Sequence, residues 1–330
     1  MSSSGCSHME RQRGVALLAA ILLVALGTIL AASIAFQSAM AARRGIASMS
    51  FEQSVLVAQG AEALAAYGLR EDTNSTDDYS ESWAQPFGPT EITPGVVLEA
   101  RVEDMAGRFN LNDLLDEQGH VNPLARDAFQ RLLQLLGLEP KWADQMVDWL
   151  DGDIAENSFD GLEDGGTTSQ QPPYRVANTL ITSTSELLGL PGFGRERYVK
   201  LAPYVAALPP QTPLNVCTAP GPVLDAMHGE QVQYSNDPEQ LAKDRLKECF
   251  PHKDDYLEGI STEGVDPATA RTWRNSQFAE NSRYYRLTSV MTLGGSDFAL
   301  YSLLQKASRS GGSAGSQGRV RVLQRSFTPD

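Results

Sequence analysis

Asp151, Asp153, Glu156, Asp160, Glu163 and Asp164 all fall within DGDIAENSFDGLEDGG (151–166), and no basic residue lies among them. Carboxylates packed this densely repel one another. A divalent cation relieves that repulsion, and calcium suits an irregular loop because it accepts about six to eight oxygens at ~2.3–2.6 Å. The D-x-D start and the interspersed glycines let a chain wrap an ion. This is not an EF-hand: counted from Asp151, the sixth and twelfth positions are Glu156 and Leu162, where that loop needs Gly and Glu. Asp151, Asp153, Glu163 and Asp164 lead the ligand set, Asp160 and Glu156 follow, and backbone carbonyls complete the shell. The alternative is a solvated acidic loop.

Other chemistry is weaker. LLGLPGFGRERYVKLAPYV (187–205) has the pattern of a helix–hairpin–helix, with Gly192 and Gly194 followed by Arg195, Arg197 and Lys200. LNVCTAPGPVLDAM (214–227) has the look of a second such unit. The three basic residues would neutralise only ~3 phosphates, and the net charge of −14 repels nucleic acid. The same glycines serve a tight connection between packed helices. No nucleic-acid partner is expected. The four histidines, His8, His120, His228 and His252, are scattered, and no nucleophile elbow, Walker A loop, dinucleotide fingerprint or HExxH is present. No enzyme is expected. Of the three cysteines, Cys6 precedes an apolar run and Cys217 and Cys249 follow far behind. If the body of the chain is exported, Cys217 and Cys249 are a candidate disulfide; two free or buried thiols fit the sequence equally well.

These residues need elements to position them, and the first is at the N-terminus. Val15 to Phe36 is a run of 22 residues without a charge. A bilayer core takes ~20 apolar residues, and a secretory h-region is shorter, ~7–15. The run does not end in a turn. Phe51, Val55, Ala58, Ala65 and Leu69 continue one helical face, interrupted only by Glu62. One helix is therefore expected from Val15 to about Leu69, apolar first and amphipathic later.

Arg11, Arg13, Gly14 and the aliphatic helix that follows resemble a class III, prepilin-type leader. The resemblance implies cleavage after Gly14 by a prepilin peptidase, a mature chain beginning at Val15 with a methylated N-terminus, and a body on the periplasmic side of the inner membrane, in accord with the positive-inside rule. Met9 offers a second start that shortens the leader to six residues, MERQRG. Most pilins and pseudopilins carry Glu at the fifth mature position; here it is Ala19. A subunit without that acid cannot neutralise the terminal ammonium of a preceding neighbour, which suits the first position in a filament. With EDMAGRFNLNDL (103–114), the pattern resembles the K-type minor pseudopilins of type II secretion systems, and the resemblance covers nearly the whole chain. It implies a filament-tip subunit that nucleates the pseudopilus and supports export of folded proteins. Implied partners are the I-type, J-type and H-type minor pseudopilins, the major pseudopilin, and secreted cargo or the outer-membrane channel. It also implies calcium in the helical insertion. The rival reading is a minor pilin of a type IV pilus or competence system.

The expected fold is α+β: a pilin-like long N-terminal helix on an antiparallel sheet, with a large all-α, helix–hairpin–helix-like or SAM-like insertion between strands. Leader (1–14), transmembrane and polymerisation helix (15–36) and amphipathic periplasmic helix (37–70) come first. The first part of the pilin-like domain follows (71–122), opening on a Pro-, Ser- and Thr-rich loop (71–95) and then VVLEARVEDMAGRFNLN (96–112), which begins as an alternating, half-buried strand. The helical insertion spans 123–277, with Thr184 and Asp237 as N-caps. The closing strands (278–330) are a hairpin, RYYRLTSVMTL and DFALYSLLQKAS, and a final RVRVLQRSF.

Overall fold

The computed structural model describes residues 8–229, 232–258, 260, 267–307 and 319–329. The chain divides into two compact units, Met1–Leu56 and Val57–Asp330. Helix α1 runs His8–Glu71. In the first unit its large apolar side chains from Val15 to Phe36 are all exposed. A helix that is apolar on every face has no polar side to give to water.

In the second unit the α1 residues Ala58, Ala61 and Leu69 are buried against the sheet with Leu98, Ala100, Tyr285, Leu287 and Leu304. The sheet begins with β1 (Phe87–Thr93) and β2 (Val96–Asp104). β1 lies inside the segment expected to be a loop. It was not legible because it is an edge strand with all seven residues exposed, paired only to β2 through register shifts, so it has no apolar alternation. It carries Pro89, which an edge strand tolerates. β2 alternates as expected: Val96, Leu98 and Ala100 are buried, while Glu99 and Arg101 are exposed.

The chain then leaves the sheet through β3 (Phe109–Asn110) into the insertion. Asn122 caps α2 (Pro123–Leu135) by accepting from the Ala125 amide, with Pro123 at the first helical position. Gly137 (φ 62°) and Pro140 separate it from α3 (Lys141–Leu150). There follow α4 (Asp164–Thr167), a 3-10 turn at Thr184–Gly189, α5 (Gly194–Leu201), β4 (Val205–Ala206), β5 (Leu214–Asn215), α6 (Gly221–His228), α7 (Pro238–Arg245), α8 (Lys253–Glu258) and α9 (Pro267–Gln277). Asp237 caps α7 by accepting from the Gln240 amide. The 3-10 turn is capped by Ser183, not Thr184: the Ser183 hydroxyl accepts from the Ser185 amide. Trp142, Phe129, Phe193, Tyr256 and Phe278 fill one core. The two-residue parallel pairs β3–β4 and β5–β6 (Phe278–Ala279) tie its ends together.

The closing strands are β7 (Tyr284–Leu293), β8 (Ser296–Lys306) and β9 (Val320–Ser326). The sheet order is β1-β2-β7-β8-β9, antiparallel throughout. β7 and β8 meet at Gly294–Gly295, both at positive φ (59° and 81°), as a two-residue hairpin turn needs. Glu62, the interruption of the α1 stripe, is buried and paired with Arg325 of β9.

Sheet and insertion are joined by a buried polar knot. Asp104 Oδ2 accepts from Asn215 Nδ2 (2.9 Å), Thr218 Oγ1 (2.5 Å) and Ser282 Oγ (2.5 Å), and Oδ1 accepts from the Ala106 amide (2.8 Å). Burial still raises the Asp104 pKa against these bonds. Beside it Lys306 Nζ spans Asp72 (2.7 Å) and Asp77 (3.0 Å).

Asp113, in the short turn after β3, is a second buried carboxyl. It accepts from the Gln211 amide (2.7 Å), and burial pushes its pKa up to about 7. The folded state therefore holds a proton that the unfolded chain releases near pH 4, so stability falls as pH rises from about 4 to about 7 and stays reduced above. Asp113→Asn keeps the acceptor and removes the charge. We expect the variant to be more stable than the parent at pH 8, by up to about 3 kcal/mol, with the gap closing towards pH 4. Parallel melting curves across that range would remove Asp113 as a titrating group.

Candidate functional site

The acidic loop is organised from the end of α3. Asp148, fully buried on its last turn, accepts from Asn157 N (3.1 Å) and Nδ2 (2.8 Å) through Oδ1 and from Leu162 N (2.7 Å) through Oδ2. Those bonds fold residues 157–162 back onto the helix. Gly161 has to be glycine, because a Cβ there would overlap Asp148 Oδ2. Asn157 Nδ2 also donates to Asp151 Oδ2.

The fold brings together three of the six acidic side chains. Asp151, Asp153 and Glu163 present carboxylate oxygens that lie within 4.8 Å of one another. Asp151 and Glu163 are each 5% exposed, whereas Asp153 is open to solvent. Asp153 Oδ1 accepts from the Ala155 amide (2.7 Å). Asp164 has other partners: Oδ1 accepts from the Val176 amide (3.2 Å), and Oδ2 is 3.8 Å from Arg175 Nε. Glu156 and Asp160 are exposed on the outside of the loop.

Among the described residues, Asp151 Oδ1 and both oxygens of Glu163 are buried with no hydrogen-bond partner. Burial first, then the charges of Asp148, Asp151, Asp153 and Asp164, push the Glu163 pKa up to about 7. Burial likewise raises Asp151, although Asn157 works against it. Buried, unpartnered carboxylate oxygens aimed at one point are what an oxygen-seeking divalent cation requires. The donor set fits calcium: all oxygen, on an irregular loop. Sequence reasoning missed Asp148, which sits on the buried face of an amphipathic helix, three residues before the loop begins. Its only signal was a charged residue at a core position of the α3 pattern.

The loop lies inside residues 107–210, the stretch matched by the family model described as "Type II secretion system (T2SS), protein K". Type II secretion system protein K of Pseudomonas aeruginosa is 33% identical over an alignment of 329 positions that covers 95% of this chain and 92% of that protein. The chain belongs to the type II secretion system protein K family. Protein K of Klebsiella pneumoniae is 30% identical over 92% of this chain and 95% of its own length. The solved GspK-GspI-GspJ complex from the type 2 secretion system of enterotoxigenic Escherichia coli contains a chain of the same fold. Its TM-score is 0.70 at 22% identity, covering 87% of this chain and all of that one.

A protein K is a minor pseudopilin, and the type IV pilus or competence reading is set aside. In this chain, Gly14 and Val15 lie on α1, at the start of a helix long and apolar enough to cross a membrane. Ala19 follows within the exposed apolar stretch. Cys217 and Cys249 are joined in a disulfide, with Cα atoms 4.6 Å apart. The sequence leaves that pair open because it does not give the separation of the two Cα atoms. In the hairpin, Gly192 and Gly194 take positive φ (80° and 73°). Arg197 is turned inward: it donates to the carbonyls of Gly192 (3.1 Å) and Phe193 (3.0 Å) and lies over the Trp142 ring at 5.5 Å. Arg195 and Lys200 are exposed.

Proposed function

We propose that this chain is the tip subunit of the type II secretion pseudopilus. It would be anchored in the inner membrane by residues 15–36, with its body in the periplasm, and it would act by assembly rather than by catalysis. The observation that carries the tip position is Ala19. In an apolar filament core an uncompensated charge costs several kcal/mol, so a subunit without the acid fits only where no earlier subunit presents an ammonium. The Cys217–Cys249 bond supports a periplasmic body, since such bonds persist in oxidising compartments. Cleavage after Gly14 frees Val15 as the mature N-terminus.

The partners are the I-type and J-type minor pseudopilins, with H-type and major subunits below. This reading is supported by the likeness to a chain solved with GspI and GspJ. Co-expression of the full chain with the I-type and J-type subunits of its own system should yield one complex with a single copy of each. Failure of all three to co-purify, or immunogold labelling of the chain along the shaft in many copies, would sink the assignment.

Calcium held by Asp151, Asp153 and Glu163, with Asp148 bracing the loop, is the structural cation of this reading. Chelation should lower the melting temperature and open residues 151–163 to protease. At a free calcium about a hundredfold above the dissociation constant the ion contributes about 2.7 kcal/mol. Glu163→Gln should lose most of the calcium-dependent shift. Coincident melting curves with chelator and with excess calcium would remove the ion.

A further inference from the structure

The sheet has a second face, away from α1, and it meets the insertion across a cleft of about 340 Å³. That volume is at the small end of ligand sites. β2 and β7 set Glu103 directly opposite Arg286, with Arg101 two residues earlier on the same face. Arg108 comes from the loop after β2. Glu103 Oε2 accepts from Arg286 Nη2 (2.6 Å) and Arg108 Nη2 (3.3 Å), and Oε1 accepts from Arg101. Arg108 Nη1 also donates to the Ala202 carbonyl (3.3 Å) on the insertion side.

Three guanidiniums thus share one carboxylate. The remaining described lining is uncharged, so the cleft holds an excess of two positive charges in a protein whose net charge is −14. Arg286 Nε is buried without a hydrogen-bond partner among the described residues. Burial, and next the neighbouring Arg286 charge, lower the Arg108 pKa. Structural pairing explains one arginine on Glu103; it does not explain three. Guanidinium forks match the oxygens of carboxylate and phosphate groups. Ser183 and Tyr301 also line the cleft.

We propose that this cleft is an oxyanion site, taking a small doubly charged phosphate or dicarboxylate between Arg286, Arg108 and Arg101, and so bridging sheet and insertion. The reading does not depend on the position of the subunit in a filament.

The test is calorimetric titration of the full chain, in nonionic detergent at constant ionic strength, with inorganic phosphate in one arm and succinate in the other. At least one should bind saturably in the roughly millimolar range. Arg286→Gln should abolish that binding, and Arg101→Gln, at an exposed arginine, should weaken it at least about threefold. Glu103→Gln should tighten it by a similar factor, because it raises the positive excess; a merely structural Glu103 would give no such gain. Arg321→Gln, outside the cleft, should leave it unchanged. If Arg286→Gln does not fold, the Arg101 and Glu103 variants decide. The arm that responds names the anion class. Absence of saturable binding in both arms, or binding indifferent to the Arg101 and Glu103 changes, overturns the proposal.

Discussion

Replacing Cys217 and Cys249 with alanine lowers the melting temperature of the chain by roughly 10 °C. The bond closes a loop of 32 residues that contains α6 and α7. On the chain-entropy account, closing a loop of that length removes about 3–4 kcal/mol of freedom from the unfolded state. For a domain of this size each kcal/mol moves the midpoint by roughly 2–4 °C. Both sulfurs are buried, so the alanines add a small cavity cost and no unsatisfied hydroxyl. Reductant should reproduce the drop in the parent and leave the double variant unmoved. If the parent titrates two more free thiols with reductant than without it, yet melts where it did before, the bond contributes nothing to stability.

What the sequence made legible follows the range of each signal. The β7–β8 hairpin was legible because its alternation and its Gly-Gly turn are local, and α1 because the apolar pattern runs unbroken through the bilayer length. β1 gave no signal, since all seven of its residues face solvent and its pairing is a property of β2. The acidic loop was visible as composition, but its selection of Asp151, Asp153 and Glu163 depends on Asp148 pulling Asn157 and Leu162 onto α3. That is tertiary information. The knot at Asp104 is the same: its partners come from residues 215, 218 and 282, each unremarkable in its own stretch.

Glu62 is the sharpest case, because it read as a flaw in a helical stripe and its partner is 263 residues away. Arg325 Nε donates to Oε1 (2.8 Å) and Oε2 (3.1 Å), Nη2 donates to Oε2 (2.7 Å), and the Ser302 hydroxyl donates to Oε1 (2.5 Å). Burial alone would raise the Glu62 pKa; the Arg325 and Ser302 bonds and the Arg325 charge overcome it and hold the carboxyl below its usual value. A carboxyl so depressed contributes stability above the unfolded pKa, near 4.5, that is lost as pH falls through the folded value. Arg325→Met leaves that carboxylate buried with only Ser302. Stranding a buried charge costs about 3–5 kcal/mol, and because the Arg325 side chain is 49% exposed the lower end applies. The loss should be greatest near neutral pH and shrink towards pH 5, where Glu62 can take a proton instead. Glu62→Leu combined with Arg325→Met should recover most of it, since an apolar pair of similar volume suits the α1–sheet core. Denaturant unfolding of the four members of this cycle measures the coupling. A double variant as weak as the single one would mean that the pair is valued for geometry, fixing the register of β9 against α1, and not for the charge it neutralises.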